Sequence, residues 1–205
     1  MTVLAVGLTK SPCDWEQDLV WRISRARPEH TVRGLNFQGP LEAVRRLGGE
    51  EALRRCLELA GETRFVSFFN YPVQSLLKVF SFAVEVMGPT AGGGESVLWE
   101  MGRQSTLDFL ASPVGRAAKV VANGDPRRML TVAPEIYRQT LGFGGLEVEW
   151  MGQRSGRLVR QGDFLPAACH EGSTLELLRQ MGGRNAWVQH EWLDGLNGGL
   201  MFGWE

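Results

Sequence analysis

Three adjacent residues, Cys169, His170 and Glu171, carry side chains that bind metals or move protons, and Asp163 precedes them closely. A thiolate, an imidazole and a carboxylate can all ligate zinc. Asp163, His170 and Glu171 together have the groups for general acid–base work. Adjacent residues point in different directions, however, so a metal site here would need ligands from elsewhere, with Cys13, His30 and His190 as the candidates. The following residues favour a simpler reading. Ser173 with Glu176 is a capping box, which makes Cys169–Glu171 a turn, with Cys169 buried, ahead of a helix from Ser173 to Met181. His190 is expected on a sheet surface, sharing a strand face with Trp192 and opposing Trp187. The expectation is therefore no metal and no catalytic residue, with an enzyme built on Asp163, His170 and Glu171 as a minor alternative.

Other chemistry has less support. The glycine-rich stretches lack the Gly-Lys-Ser/Thr ending of a phosphate-binding loop, and none follows a strand as a dinucleotide fingerprint requires. There is no Gly-x-Ser-x-Gly elbow and no His-Glu-x-x-His helix. The pairs Arg45-Arg46, Arg54-Arg55 and Arg127-Arg128 read as solvated helix faces rather than a converging anion patch.

The elements that must position these residues follow from pattern. Over 205 residues, 43% apolar and 22% charged, the chain has the composition of an ordinary globular protein. Its 22 basic and 23 acidic residues give no field that would draw it to nucleic acid or an anionic membrane. Three widely spaced cysteines suggest a reducing cytoplasm. Met1 to Lys10 lacks the basic start of a signal peptide, and no apolar run is long enough for a membrane span.

Thr2 to Gly7 reads as an edge strand and Asp14 to Arg27 as a peripheral helix, within an N-terminal extension over residues 1–30. Thr31 to Phe37 reads as extended. A helix begins at Gly39-Pro40 and stops at Gly48-Gly49, and Glu50 to Ala60 is a second, capped by Gly61. From Pro72 to Met87 the residues are apolar around most of the helical circumference, which predicts a central buried helix. Helices follow at Glu95 to Ala111, at Pro113 to Ala122 after Ser112, and at Pro126 to Leu141 after Asp125, where Pro134 should kink or divide the last. From Leu146 the period becomes twofold, with strands at Leu146–Met151, Arg157–Gln161, Ala186–Leu193 and Gly199–Trp204 around the Ser173 helix. The result is a single α+β domain whose helical N-terminal two-thirds packs on a C-terminal antiparallel ββαββ sheet.

Several segments carry a resemblance. They are Val32 to Phe37 (VRGLNF), Tyr71-Pro72, Gly102 to Arg116 (GR-x-x-T-x-x-F-L-x-S-x-VGR), Gly124 to Arg128 (GDP-R-R), Ala133 to Arg138 (AP-x-x-Y-R), Asp163 to Gly172 (DFLP-x-x-CHEG) and Leu200 to Trp204 (L-x-F-x-W). Through them the chain resembles an uncharacterised family of similar length, found largely in myxobacteria and often in many copies. The family brings no activity with it. More loosely, helices leading into a ββαββ sheet look like the vinyl-reductase-like and haem nitric-oxide-binding fold group. Haem-binding relatives there carry a proximal histidine on a helix and a Tyr-x-Ser-x-Arg motif; neither is read here, and no cofactor is expected.

Seven tryptophans, four of them in predicted strands, add large aromatic surface to the sheet. With a buried helix against it, this suggests a non-enzymatic regulatory or sensory module that binds a small apolar ligand or a protein partner between helix Pro72–Met87 and the sheet. Trp99, Phe109, Tyr137 and Trp150 are the expected walls of that pocket, with Arg103 and His170 as its polar contacts. A dimeric scaffold with a solid core is the alternative.

Overall fold

The computed structural model describes residues 14–205; the expected edge strand at Thr2–Gly7 and Cys13 lie outside them. Helix α1 (Trp15–Arg25) starts where the Asp14 side chain accepts the Gln17 N–H at 3.2 Å. It buries Trp15, Leu19 and Arg22 against the helices that follow. Strand β1 (Thr31–Arg33) pairs antiparallel with β2 (Asn70–Pro72), and between them runs α2 (Leu35–Ala60). This helix absorbs Leu35, Asn36 and Phe37, expected to be extended. The loop before β2 supplies acceptors at its start, with Gly34 N–H donating to the Phe69 carbonyl and Leu35 N–H to that of Ser67. At Gly49, φ +77° interrupts the helical backbone between two halves, as the double glycine suggested, and Gly61 caps the second half in the left-handed region.

Helix α3 (Val73–Met87) is the centre of the domain, with nine of its 15 residues buried, so its wide apolar surface is matched by neighbours on most sides. Helix α4 (Gly94–Ala111) follows. Next come α5 (Pro113–Ala122) and α6 (Pro126–Thr140), each opened by a side-chain cap and a proline at the first position. Pro134 does not divide α6, which continues through it as one helix.

Strands β3 (Gly145–Trp150), β4 (Ser155–Gln161), β5 (Trp187–Asp194) and β6 (Asn197–Gly203) form one antiparallel sheet in the order β3-β4-β6-β5. Helix α7 (Ala167–Gln180) joins its two hairpins. Thus the fold is α+β, helical first and closed by a ββαββ sheet. One sheet face is apolar: Leu158, Leu200 and Phe202 are buried against Leu130 of α6 and Leu178 of α7. The other is polar, where Arg157 bonds Glu149 on β3 and Glu191 on β5, each at 2.9 Å.

Helix α7 departs most from expectation. It begins six residues before Ser173, following Pro166, so Cys169, His170 and Glu171 are helical rather than a turn. Its N-cap is Pro166, without a side-chain cap, and just ahead of it Asp163 Oδ1 accepts the Leu165 N–H at 2.8 Å. Ser173 lies inside the helix and turns to Thr106 of α4, hydroxyl to hydroxyl at 2.8 Å.

Helices α4 and α7 cross at backbone contact. A β-carbon on Gly102 would stand 2.0 Å from the Cys169 carbonyl oxygen, and one on Gly172 would stand 2.0 Å from that of Trp99. Only glycine allows either approach. Among the described residues, no helix is long and apolar enough to cross a membrane.

Candidate functional site

Between the helical body and the sheet lies a cavity of about 200 Å³. Leu76 and Phe80 of α3 and Leu146 and Leu158 of the sheet form opposite walls, and Ala133, Ile136 and Tyr137 of α6 close one side. Helix α7 adds Cys169, His170, Ser173 and Leu177. A second cavity of about 180 Å³ adjoins it along Ala133, Ile136 and Thr140 and extends to Phe109 and Met129. Most of this lining is apolar.

One end of the first cavity is polar and buried. Tyr137 and His170 line it, and behind them lie Asp163 and Arg160, 2% and 3% exposed. Strand alternation places Arg160 there. It shares the inward face of β4 with Leu158, and its cross-strand partner is Leu146; both leucines are cavity walls. His170 Nε2 approaches Asp163 Oδ2 to 2.6 Å, obliquely for a hydrogen bond, and Arg160 Nη1 stands 4.0 Å from the same oxygen. From α1, Arg22 reaches in: its Nη1 donates to the carbonyls of Asp163 and Leu165 at 3.2 and 3.3 Å, while its Nε is held by Asp18 at 2.7 Å.

Not every donor is used. Arg160 Nε and Nη2 and the Tyr137 hydroxyl are buried without a hydrogen-bond partner among the described residues. Buried polar groups are nearly always paired, and the same cluster leaves Asp163 Oδ2 and His170 Nε2 without a hydrogen-bond partner as well.

Burial and local charge tune these groups. Burial is the largest influence on Asp163 and favours its neutral form, but His170, Arg160 and the Leu165 N–H outweigh it and hold the carboxyl below its ordinary range. Burial, with Arg160 second, lowers the pKa of His170 against the pull of Asp163. Burial, and then Asp163, push the Tyr137 phenol up. The ground state is therefore a carboxylate, a neutral imidazole and a neutral phenol around a desolvated guanidinium.

The sequence-derived candidates divide. Tyr137 and His170 line the first cavity, and Phe109 lines its neighbour. Trp99 and Arg103 lie elsewhere, in an open surface groove with Arg46, Glu100 and Glu171, where Arg103 is held by both oxygens of Glu100 at 2.7 Å. Trp150 packs edge-on to Phe202 and Trp204, with the Arg127 guanidinium 3.9 Å above its ring. The arginine pairs do not converge: Arg45 bonds Glu42, Arg54 bonds Glu51 and Glu58, and Arg128 lies 3.7 Å from Asp125.

Asp163, His170 and Glu171 do not act on one point either. His170 faces Asp163, whereas Glu171 lies 3.2 Å from His190 Nε2 on the sheet. His30 lies against Phe164, the rings tilted by 40°, instead of joining them. Among the described residues, no three His, Cys, Asp or Glu side chains converge as metal ligands. Arg160 was not singled out from sequence, although a twofold pattern from Leu158 puts an arginine on the apolar face.

The chain belongs to the family described as "Protein of unknown function (DUF2378)", which matches residues 25–205. None of the curated proteins matches it. Among solved structures, an Fe(II) unliganded H-NOX protein from K. algicida is similar with TM-score 0.64 and 15% identity, over 84% of this chain and 96% of that one. An oxygen-binding H-NOX domain related to soluble guanylate cyclases is similar with TM-score 0.65 and 12% identity, over 84% and 95%. At this identity the likeness is one of fold, and it agrees with the looser resemblance drawn from element order.

That fold group raises haem, and the residues present do not fit it. The cavity of about 200 Å³ is below the roughly 300–1,000 Å³ usual for cofactor sites. A helical histidine does exist, contrary to the sequence reading, but His170 Nε2 is turned onto Asp163. The other lining groups able to bind haem iron, Cys169 and Tyr137, are held protonated by burial.

Proposed function

We propose that this protein is a non-enzymatic sensory or regulatory module whose ligand, a small and largely apolar molecule, occupies the cavity between α3 and the sheet. The observation that carries the reading is the pairing of an apolar chamber with a buried polar end whose donors lack partners. A chamber serving packing alone would be dry and apolar, and one serving solvent would be open. The H-NOX likeness supports the same reading at the level of fold, since those structures are of proteins described by the oxygen or haem they hold. Tyr137 and His170 are the ligand contacts in this reading, with Phe109 at the far end; Trp99, Arg103 and Trp150 are not in the chamber.

The test is native mass spectrometry of protein purified from its own host, comparing gentle with denaturing conditions. An additional non-covalent mass that disappears in Ala133→Trp, which fills the chamber, is the expected result. A bare mass under gentle conditions, with unchanged stability in Ala133→Trp, would count against the reading.

A dimeric scaffold in the cytoplasm is the second reading, favoured by α5, where Val114, Val120 and Val121 are 53%, 79% and 70% exposed. Light scattering of the purified chain distinguishes a dimer from a monomer.

A further inference from the structure

The loop from α2 into β2 ends in a turn, Val66 to Phe69, that shows two large rings to solvent. Among the described residues, Phe68 and Phe69 are the phenylalanines left largely exposed, at 69% and 54%. Their rings pack edge-on with centroids 4.9 Å apart, so they form one apolar unit. The backbone beneath them is tied down. Phe69 N–H closes the turn on the Val66 carbonyl at 3.0 Å, and the Ser67 and Phe69 carbonyls accept the Leu35 and Gly34 N–H groups at 3.0 and 2.8 Å. The Val66 N–H donates to the Tyr71 hydroxyl at 2.9 Å, and Arg33 Nη1 donates to the Phe68 carbonyl at 2.6 Å. All four carbonyls of the turn are thus bonded within the protein. A β-carbon on Gly34 would stand 2.1 Å from the Val66 carbonyl oxygen, so the turn also rests directly on the chain after β1. Arg33 has a second backbone acceptor, the Gln139 carbonyl, and among the described residues no carboxylate pairs with its charge. Arg64, exposed on the same loop, has no carboxylate partner there either, and the one acid of the loop, Glu62, lies at its start.

We infer that this turn docks the protein on an anionic lipid surface, with Phe68 and Phe69 entering the acyl boundary and Arg33 and Arg64 meeting headgroup phosphates. Two features favour lipid over a protein partner. A backbone carbonyl carried into hydrocarbon without a hydrogen bond is costly, and this turn carries none, whereas a protein interface would draw on such groups for its own hydrogen bonds. The charge is complementary as well: the whole chain is nearly neutral, but the cations standing beside the rings are not answered by carboxylates, and the negative potential of an anionic leaflet attracts arginines held near its surface. Two rings and two cations make a reversible attachment, not an anchor. The turn lines neither cavity, so docking is independent of whether the chamber holds a ligand.

Co-sedimentation of the full chain with vesicles of phosphatidylcholine alone, and of phosphatidylcholine mixed with phosphatidylserine, tests this. The chain is expected to pellet with the mixed vesicles, less so as salt is raised, and to stay largely in solution with phosphatidylcholine alone. Phe68→Ser combined with Phe69→Ser should weaken vesicle binding about tenfold or more and leave Tm unchanged, because both rings already lie in solvent. Arg64→Gln should weaken binding to the mixed vesicles about fivefold. Pelleting with neither vesicle, or equal pelleting of the double phenylalanine variant, would overturn the docking. Equal pelleting of the unaltered chain with both compositions would overturn the part given to the arginines. Light scattering that finds a dimer dissolved by the double substitution would also overturn it, by giving the turn to a second copy of the chain.

Discussion

Helix α7 meets α4 on one side and approaches α6 on another, and the two neighbourhoods are unlike. At the α4 crossing the backbones touch: Gly102 and Gly172 leave no space for a methyl group, and Thr106 and Ser173 bond across the seam. Towards α6 there is open volume, with partly exposed Ala133 and Ile136 facing it and, close by, a buried tyrosine hydroxyl and one edge of an arginine without hydrogen-bond partners. Helix α6 packs directly on β3 and α5, and it borders the cavity where it faces α2, α4 and α7. Protein interiors are normally filled throughout to the density of organic crystals. A fold that achieves this at one face of a helix and not at another has a rigid joint and, beside it, an open volume.

The largest effect is expected where the two neighbourhoods share a support. Asp163→Ala removes the acceptor of the Leu165 N–H just ahead of α7 and strips the buried Arg160 and His170 of their anion. Breaking a buried pair in this way costs about 3–5 kcal/mol, read as a lower urea midpoint with unchanged slope. Next comes Gly102→Ala, whose methyl would meet the Cys169 carbonyl and force the seam apart, for about 2–3 kcal/mol. The comparison is sharpest in its counterpart, Ala133→Leu on the cavity side. That substitution adds apolar bulk to open space, at about 0.8 kcal/mol per methylene buried, and should leave stability unchanged or raise it by about 1 kcal/mol. Should Ala133→Leu cost as much as Gly102→Ala in the same denaturation series, the cavity side is as full as the seam and the contrast fails.

The smallest effect is a matter of pH. His170 is held neutral in the folded protein, with its pKa lowered, while in the unfolded chain it titrates near about 6.5. Below that value the unfolded state binds the extra proton, so stability falls as the pH drops from about 7 and stops falling only beneath the lowered folded value. Asp163, also lowered, adds a second loss at more acid pH, beginning near its unfolded value of about 3.9. His170→Gln should flatten the fall in Tm between pH 7 and 5 and leave the acid limb in place. An unchanged slope would show that His170 does not titrate on unfolding.

What could be read in advance depended on whether a residue's signal was local. The apolar circumference of Val73–Met87, the Ser112 and Asp125 caps with their prolines, and the twofold pattern after Leu146 are each written in contiguous residues, and each appears where expected. The start of α7 misled because Ser173 and Glu176 form a capping box in sequence, while the helix begins at Ala167 after Pro166 with no side-chain cap. Tyr137 and His170 were chosen by type, and both line the cavity. Trp99, Arg103 and Trp150 were chosen on the same grounds and lie outside the cavity, since an aromatic or an arginine on a helix or strand does not say which neighbour it will face.

The amino-acid sequence by itself determined the order of elements, the buried centre and the absence of any recognisable catalytic or nucleotide-binding motif, because periodicity, capping and turn chemistry act over a few residues. The tertiary structure alone decided that Tyr137, Arg160, Asp163 and His170, from a helix, a strand, a loop and another helix, meet at one end of a chamber. It also decided that an edge of Arg160 is left without a partner there. The physical reason is that burial and charge are properties of an environment, assembled from segments far apart in the chain, and no short stretch of sequence contains that environment.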